Sequence, residues 1–221
     1  MAERTVLQLP PLPTPALDGL VFLNFIVFAA WQWAALSGPA QVDWMEAHFT
    51  VSLAGVLDGR VWTVLTSAIS QVGVLHLAFN LIALTTFGRD VERLVGSRAF
   101  LHLYVTAAVT ASVGHLLYAA LSGVDVPALG ASGAVMGVVV VSALLYPRRW
   151  LLLFFVIPLP VTWGVGLFLV VDLLGLVSSS SVQIAHAAHL GGALYGWLYW
   201  RYEARDDIHA RLIELGVLRR P

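Results

Sequence analysis

The sequence predicts an all-α membrane protein: a bundle of six transmembrane helices with a short fourth helix that carries a serine. Three observations carry that prediction. Hydrophobic residues fill 59% of the 221 positions and charged residues only 11%, against roughly 25% charged in an average soluble domain. Mean hydropathy is +0.83, more apolar surface than a core of this size can hide, so lipid is the solvent. The apolar residues also fall into segments near the roughly 20 residues that a span requires, and the arginines divide unevenly between the two ends of those segments.

The elements follow in order. Residues 1–16 hold Pro10, Pro11, Pro13 and Pro15 and read as a disordered tail. The six-helix domain occupies 17–204, with the first span at about 18–36. Residues 37–70 mix Asp43, Glu46, His48, Asp58 and Arg60 with Trp44, Met45, Phe49, Val51, Leu53, Val56 and Leu57. That mixture predicts short helices at the membrane interface rather than a solvated loop. The second span covers 72–87, a polar loop 88–98, and the third span 99–121. The fourth runs from Ser132 to Tyr146, where Pro147-Arg148-Arg149 stops it. The fifth covers 150–176, bent at Pro158 and Pro160. The sixth covers 184–200, with Tyr195, Trp197, Tyr199 and Trp200 as an interfacial belt. A charged tail, 205–221, forms a short helix outside the membrane.

Six spans put eleven of the twelve arginines on one side and leave Arg60 alone on the other. By the positive-inside rule both termini are then cytoplasmic. No compact basic region precedes a short apolar run at the N-terminus, so no cleavable leader is expected. Together these predict a prokaryotic plasma membrane. A net charge of −1 argues against a nucleic-acid partner. With no cysteine, disulfides, thiolate metal sites and cysteine nucleophiles are excluded. The histidines are scattered over several helices without a His-Glu-x-x-His pattern, so neither a metal nor another cofactor is expected.

The fourth span is too short. At about 1.5 Å per residue its 15 residues reach ~22 Å, less than a ~30 Å hydrocarbon core. Ser132 therefore lies below the outer surface, and residues 123–131 dip in to meet it. Irregular backbone at that depth must be buried in protein or line a wet cavity, which predicts a water-filled pocket at Ser132. A serine at a helix start has unpaired amides and the helix dipole beside it, as an attacking serine and its oxyanion need. It also has the place of an ordinary N-cap.

Small residues suggest a partner for it. Gly133 and Gly137 form a Gly-x-x-x-Gly face on the fourth helix, and Gly192 and Gly196 form another on the sixth. Such faces let helix backbones approach closely in lipid. His189 shares a helical face with Gly192 and Gly196, so contact between the two glycine faces brings Ser132 and His189 together. The alternative is glycine packing beside a bystander histidine. His76 and Asn80, at i and i+4 on the second helix, suit donation to an oxyanion, or else they satisfy each other or a neighbouring helix. His186 is the rival base, and His115 reads as a satisfied interhelical residue. Asp172 is placed near the outer end of the fifth helix, within reach of water.

Taken together these residues resemble the rhomboid family of intramembrane serine proteases, over about residues 61–200. His76-x-x-x-Asn80 looks like the family's motif on the second helix, and Glu92-Arg93 with Gly96-Ser97 is similar to the loop motif after it. Gly130-Ala131-Ser132-Gly133 matches the nucleophile motif, and Ala188-His189-Leu190-Gly191-Gly192 the histidine motif. The resemblance implies Ser132 as nucleophile and His189 as base, a dyad lacking the aspartate of a triad. It also implies the six-helix rhomboid core with residues 37–70 as a membrane-embedded first loop, an oxyanion hole of His76, Asn80 and the Ser132 amide, and single-pass transmembrane proteins as substrates, entering laterally near the second and fifth helices and the loop capping the site. Two positions depart from the family pattern. Trp62-Thr63 stands where many members have Trp-Arg, which weakens loop anchoring. Met136 stands four residues after the serine, where an aromatic side chain often packs on the histidine. The competing functions are a non-catalytic rhomboid-like protein that binds membrane clients and a small transporter; no inverted repeat supports the latter. Oligomeric state is left open.

Overall fold

The computed structural model describes residues 12–153, 156–177 and 183–215. Most of the proposed tail at 1–16 and the last six residues lie outside that set. α1 (Pro15–Ser37) starts with proline at its first position, where a missing N–H is harmless. Its first amides find a distant carboxylate: Ala16 N–H and Leu17 N–H donate to Glu92 at 3.0 and 2.8 Å. Glu92 is 1% exposed and also accepts from Ser97 Oγ at 2.6 Å. A buried charge is tolerated here because three donors and a helix N-terminus face it.

The first loop forms α2 (Pro39–Phe49), α3 (Leu53–Leu57) and α4 (Thr63–Thr66), which runs into a 3₁₀ turn, Ser67–Ile69. It is tied to the rest at several points. Asp125 accepts from Leu53 N–H and Ala54 N–H at 2.8 and 2.7 Å, and Val51 and Ala128 exchange two backbone bonds of 2.8 Å. Thr63, the departure noted above, is buried, and its hydroxyl donates to Arg60 O at 2.7 Å.

α5 (Val74–Val95) does not stop at 87 as expected: the polar loop at 88–98 is mostly helix. Gly88 serves packing, not termination, since a Cβ there would meet Leu17 and Phe100 at 3.1 Å. The helix ends at Gly96, whose φ of 87° suits glycine, and α6 (Ser97–Ser122) begins at the next residue. α7 is Ser132–Leu145, α8 is Val161–Val177, α9 is Gln183–Tyr202 and α10 is Ala204–Glu214. The expected fifth span is the clearest correction. Its first third is an antiparallel ribbon, β1 (Trp150–Leu153) with β2 (Ile157–Pro160), pairing Trp150 with Pro160 and Leu152 with Pro158. Pro158 and Pro160 lack N–H groups and push their preceding residues out of the α region, so no helix passes through them.

The chain is mostly helical. By length and apolar composition α1 and α6 can each cross a membrane, and Thr63–Ile69 with α5, bent by 91°, makes a third candidate. α7 and Val161–Leu176 of α8 are shorter apolar helices. α1, α5 and α8 turn large apolar side chains outward, among them Phe22, Phe25, Phe79, Trp163 and Leu174. Inside, α6, α7 and α9 meet backbone to backbone. A Cβ on Gly133 would strike Ala111, one on Gly137 would strike Ala107, and one on Gly192 would overlap Gly133 O. Gly191 and Gly196 lie as tightly against Thr110 O and Gly137 O. The two glycine faces meet, and α6 joins them through Ala107 and Ala111.

Glu92→Ala leaves two α1 amides and the Ser97 hydroxyl without their acceptor, and should destabilise the fold by about 2–3 kcal/mol, read as a lower midpoint of thermal unfolding in detergent. Gly192→Ala forces a methyl group into backbone that cannot rotate away. It should lower the same midpoint by an amount corresponding to about 1–3 kcal/mol or more, whereas Gly19→Ala, where nothing stands within 4 Å, should leave it unchanged.

Candidate active site

Ser132 is the first residue of α7, and the N-cap is Ala131, which makes no side-chain cap bond. The serine hydroxyl is therefore not spent on capping. It lies 2.9 Å from His189 Nε2. The close approach of Gly133 and Gly192 brings their helices near enough for that bond, because each glycine stands near one of the two polar residues.

The backbone leading to Ser132 is tied to the first loop. Gly130 has φ of 139°, and its N–H donates to Ser67 O at 2.9 Å. Ser67, Ser112, Gly130 and Ala188 help line a narrow cavity beside Ser132. The ring of His76 lies over Gly130: a Cβ there would meet its Cε1 at 2.9 Å and Nε2 at 3.0 Å, with Ser132 Oγ at 3.5 Å. Asn80 is buried, but its amide donates back to His76 O at 3.0 Å. His76 thus stands beside the serine site, while one N–H of the Asn80 amide is used within its own helix.

The structure corrects two expectations around His189. Asp172 is not water-accessible: it is 1% exposed, on a helix whose neighbouring Val171, Leu173 and Leu174 are exposed. Its Oδ1 lies 3.1 Å from His189 Nδ1 and 2.5 Å from His186 Nδ1. Serine, histidine and aspartate are therefore in line, where the resemblance implied only a pair. The signal was present in the sequence, because Asp172 is the only acidic residue between Asp125 and Glu203, and an ionisable group in an apolar span is a functional candidate by default. The histidines are also less scattered than expected. Ligand atoms of Asp172, His186 and His189 lie within 4.8 Å of one another, close enough for one ion, and they are already hydrogen-bonded among themselves.

Met136 is buried four residues after the serine. It packs with Val140 and Ala193 against Val165 and Leu169. The ring that meets His189 is Phe168, from α8, with centroids 5.5 Å apart and planes at 51°. This aromatic contact comes from the helix that carries Asp172.

The arrangement has the parts of a serine hydrolase: a hydroxyl on a base, the base on a carboxylate, and a helix N-terminus beside the hydroxyl. A rhomboid domain model matches residues 58–205. "RHOMBOID-like protein 12, mitochondrial" of Arabidopsis thaliana is 33% identical over 197 residues, covering 82% of this chain and 56% of that protein. "Rhomboid protein 1, mitochondrial" of Saccharomyces cerevisiae is 32% identical, covering 86% and 54%. "Rhomboid protease GluP" of Bacillus subtilis is 38% identical over 91 residues, covering 41% and 17%. The chain spans about half the length of the mitochondrial relatives. These matches overturn the prokaryotic plasma membrane expected above, since relatives matched over four-fifths of the chain are named mitochondrial or chloroplastic. The arginine asymmetry reports which ends share a side, and it carries no information on which membrane they flank. The domain match spans the helices that hold Ser132, Asp172 and His189, and this chain belongs to the rhomboid family.

Proposed function

We propose that this protein is an intramembrane serine endopeptidase that cleaves transmembrane segments of other membrane proteins through Ser132 and His189. The observation that carries the reading is the 2.9 Å contact between Ser132 Oγ and His189 Nε2 at the start of an apolar helix. In the reaction His189 Nε2 takes the hydroxyl proton as Oγ attacks the scissile carbonyl. The carbonyl electrons move onto oxygen, facing the Ser132 amide and His76. His189 then protonates the departing amine, and water repeats the sequence on the acyl-enzyme. Six spans carry this site: α1, α5, α6, α7, α8 and α9, with the first loop embedded beside them. Substrate enters laterally between α5 and α8, whose outward faces are apolar. The names of the relatives support an organellar membrane.

Purified protein in liposomes, offered a panel of single-pass transmembrane substrates, should cut at least one of them. Ser132→Ala and His189→Ala should each lose at least about 10³-fold in rate, and cleavage that survives Ser132→Ala sinks the assignment. Loss in His186→Ala without loss in His189→Ala would transfer the role of base to His186. His76→Ala should lower kcat by about 10²-fold with little change in KM, as removal of one oxyanion donor does; an unchanged kcat removes His76 from the oxyanion site.

A further inference from the structure

A carboxylate buried in an apolar helix is expensive unless hydrogen-bonded. Asp172 meets that condition with one oxygen, because its Oδ1 takes both imidazoles and its Oδ2 has no hydrogen-bond partner among the described residues. The fold makes room for this. A Cβ on Gly175, three residues after Asp172, would collide with the His186 ring, so α8 carries a glycine where that ring must enter. An ionised carboxylate only accepts. With Asp172 in that form both Nδ1 atoms facing it carry hydrogen, and a neutral His189 then has its Nε2 bare, facing the Ser132 hydroxyl at 2.9 Å.

We propose that Asp172 is the positioning residue of the site, so that this chain works with a Ser132–His189–Asp172 triad instead of a dyad; the proposal rests on the serine endopeptidase reading above. As the Oγ–carbon bond forms and the carbonyl pair moves to oxygen, the Oγ proton passes to His189 Nε2. The Nδ1 hydrogen stays where it is, and Asp172 remains ionised beside the new imidazolium. Asp172 thereby does two things through His189: it holds the tautomer that can accept a proton, and it stabilises the cation that results. His186, bonded to the same oxygen, holds the carboxylate's orientation and is one step further from the reacting atoms. The rival account is a structural one, in which Asp172 only pins α8 to α9 through His186.

The test is fluorophosphonate labelling of the full chain in detergent, reading the maximal inactivation rate, the probe concentration at half-maximal rate and the unfolding midpoint. Asp172→Asn keeps shape and an acceptor but not charge, and should lower the maximal rate by about 10²–10⁴-fold with half-saturation little changed. His186→Gln should lose at least about tenfold less than Asp172→Asn, because its effect passes through the carboxylate. Wild-type rate in Asp172→Asn overturns the proposal, and equal losses in the two variants overturn it in favour of the structural pin. Absence of labelling at Ser132 in the wild-type protein removes the serine reading and the triad with it. Labelling that is equal in wild type and Asp172→Asn removes only the triad. ¹⁵N spectra of histidine-labelled wild-type protein, with His189→Gln as assignment control, do not depend on the stability of Asp172→Asn. They should show His189 protonated at Nδ1 and bare at Nε2, and the opposite tautomer overturns the proposal.

Discussion

Gly192 lies so close to Gly133 O that a single methyl group cannot fit between α9 and α7, and the reactive geometry depends on that approach. Water drives helices together by excluding apolar surface, but lipid is as apolar as the side chains and supplies no such force. Close van der Waals contact and polar bonds between helices must do it instead. Glycine and alanine on α6, α7 and α9 provide the first. The Ser132–His189–Asp172 chain and the Glu92 anchor provide the second. Remove the close approach and the serine and histidine separate, leaving two desolvated polar side chains without each other.

The polar residues at depth follow one rule. Glu92 faces three donors, Asp172 faces two imidazoles, and Asn24 faces Gln71 Nε2 at 2.9 Å and Leu20 O at 2.7 Å. Apart from the Asn24–Leu20 bond within α1, these ties join different segments of the chain or secure a helix terminus. The first loop works in the same way. Through Asp125, Val51 and Ser67 it fixes the irregular backbone that delivers Ser132 to the start of α7. A loop that seems peripheral in sequence is thus part of the wall behind the nucleophile.

Some elements were legible residue by residue. The short helix that starts at Ser132, the meeting of the Gly133/Gly137 and Gly192/Gly196 faces, and the short helices of the first loop follow from length, small-residue spacing and mixed polarity. Others were not. The charged residues after Gly88 look like a loop, but Val91, Glu92, Leu94 and Val95 are all buried, because a carboxylate can sit inside when a distant helix terminus meets it. The apolar run from 150 to 160 looks like half a span, yet two prolines turn it into a paired ribbon. The localisation expectation failed for a different reason: charge asymmetry ranks two sides of a membrane and is blind to which membrane it is.

The sequence by itself determined the solvent, the helical class and the meeting of Ser132 with His189, because hydropathy and small-residue spacing are local quantities. Only the tertiary structure decided that Asp172 faces inward, that Phe168 meets the imidazole ring, and that Asn80 bonds back to its own helix. These depend on how helices are rotated about their axes. In an almost wholly apolar helix such as α8, outward Val171, Leu173 and Leu174 give no amphipathic pattern from which that rotation can be read. It is set by the partners the helix finds, and those are fixed by packing.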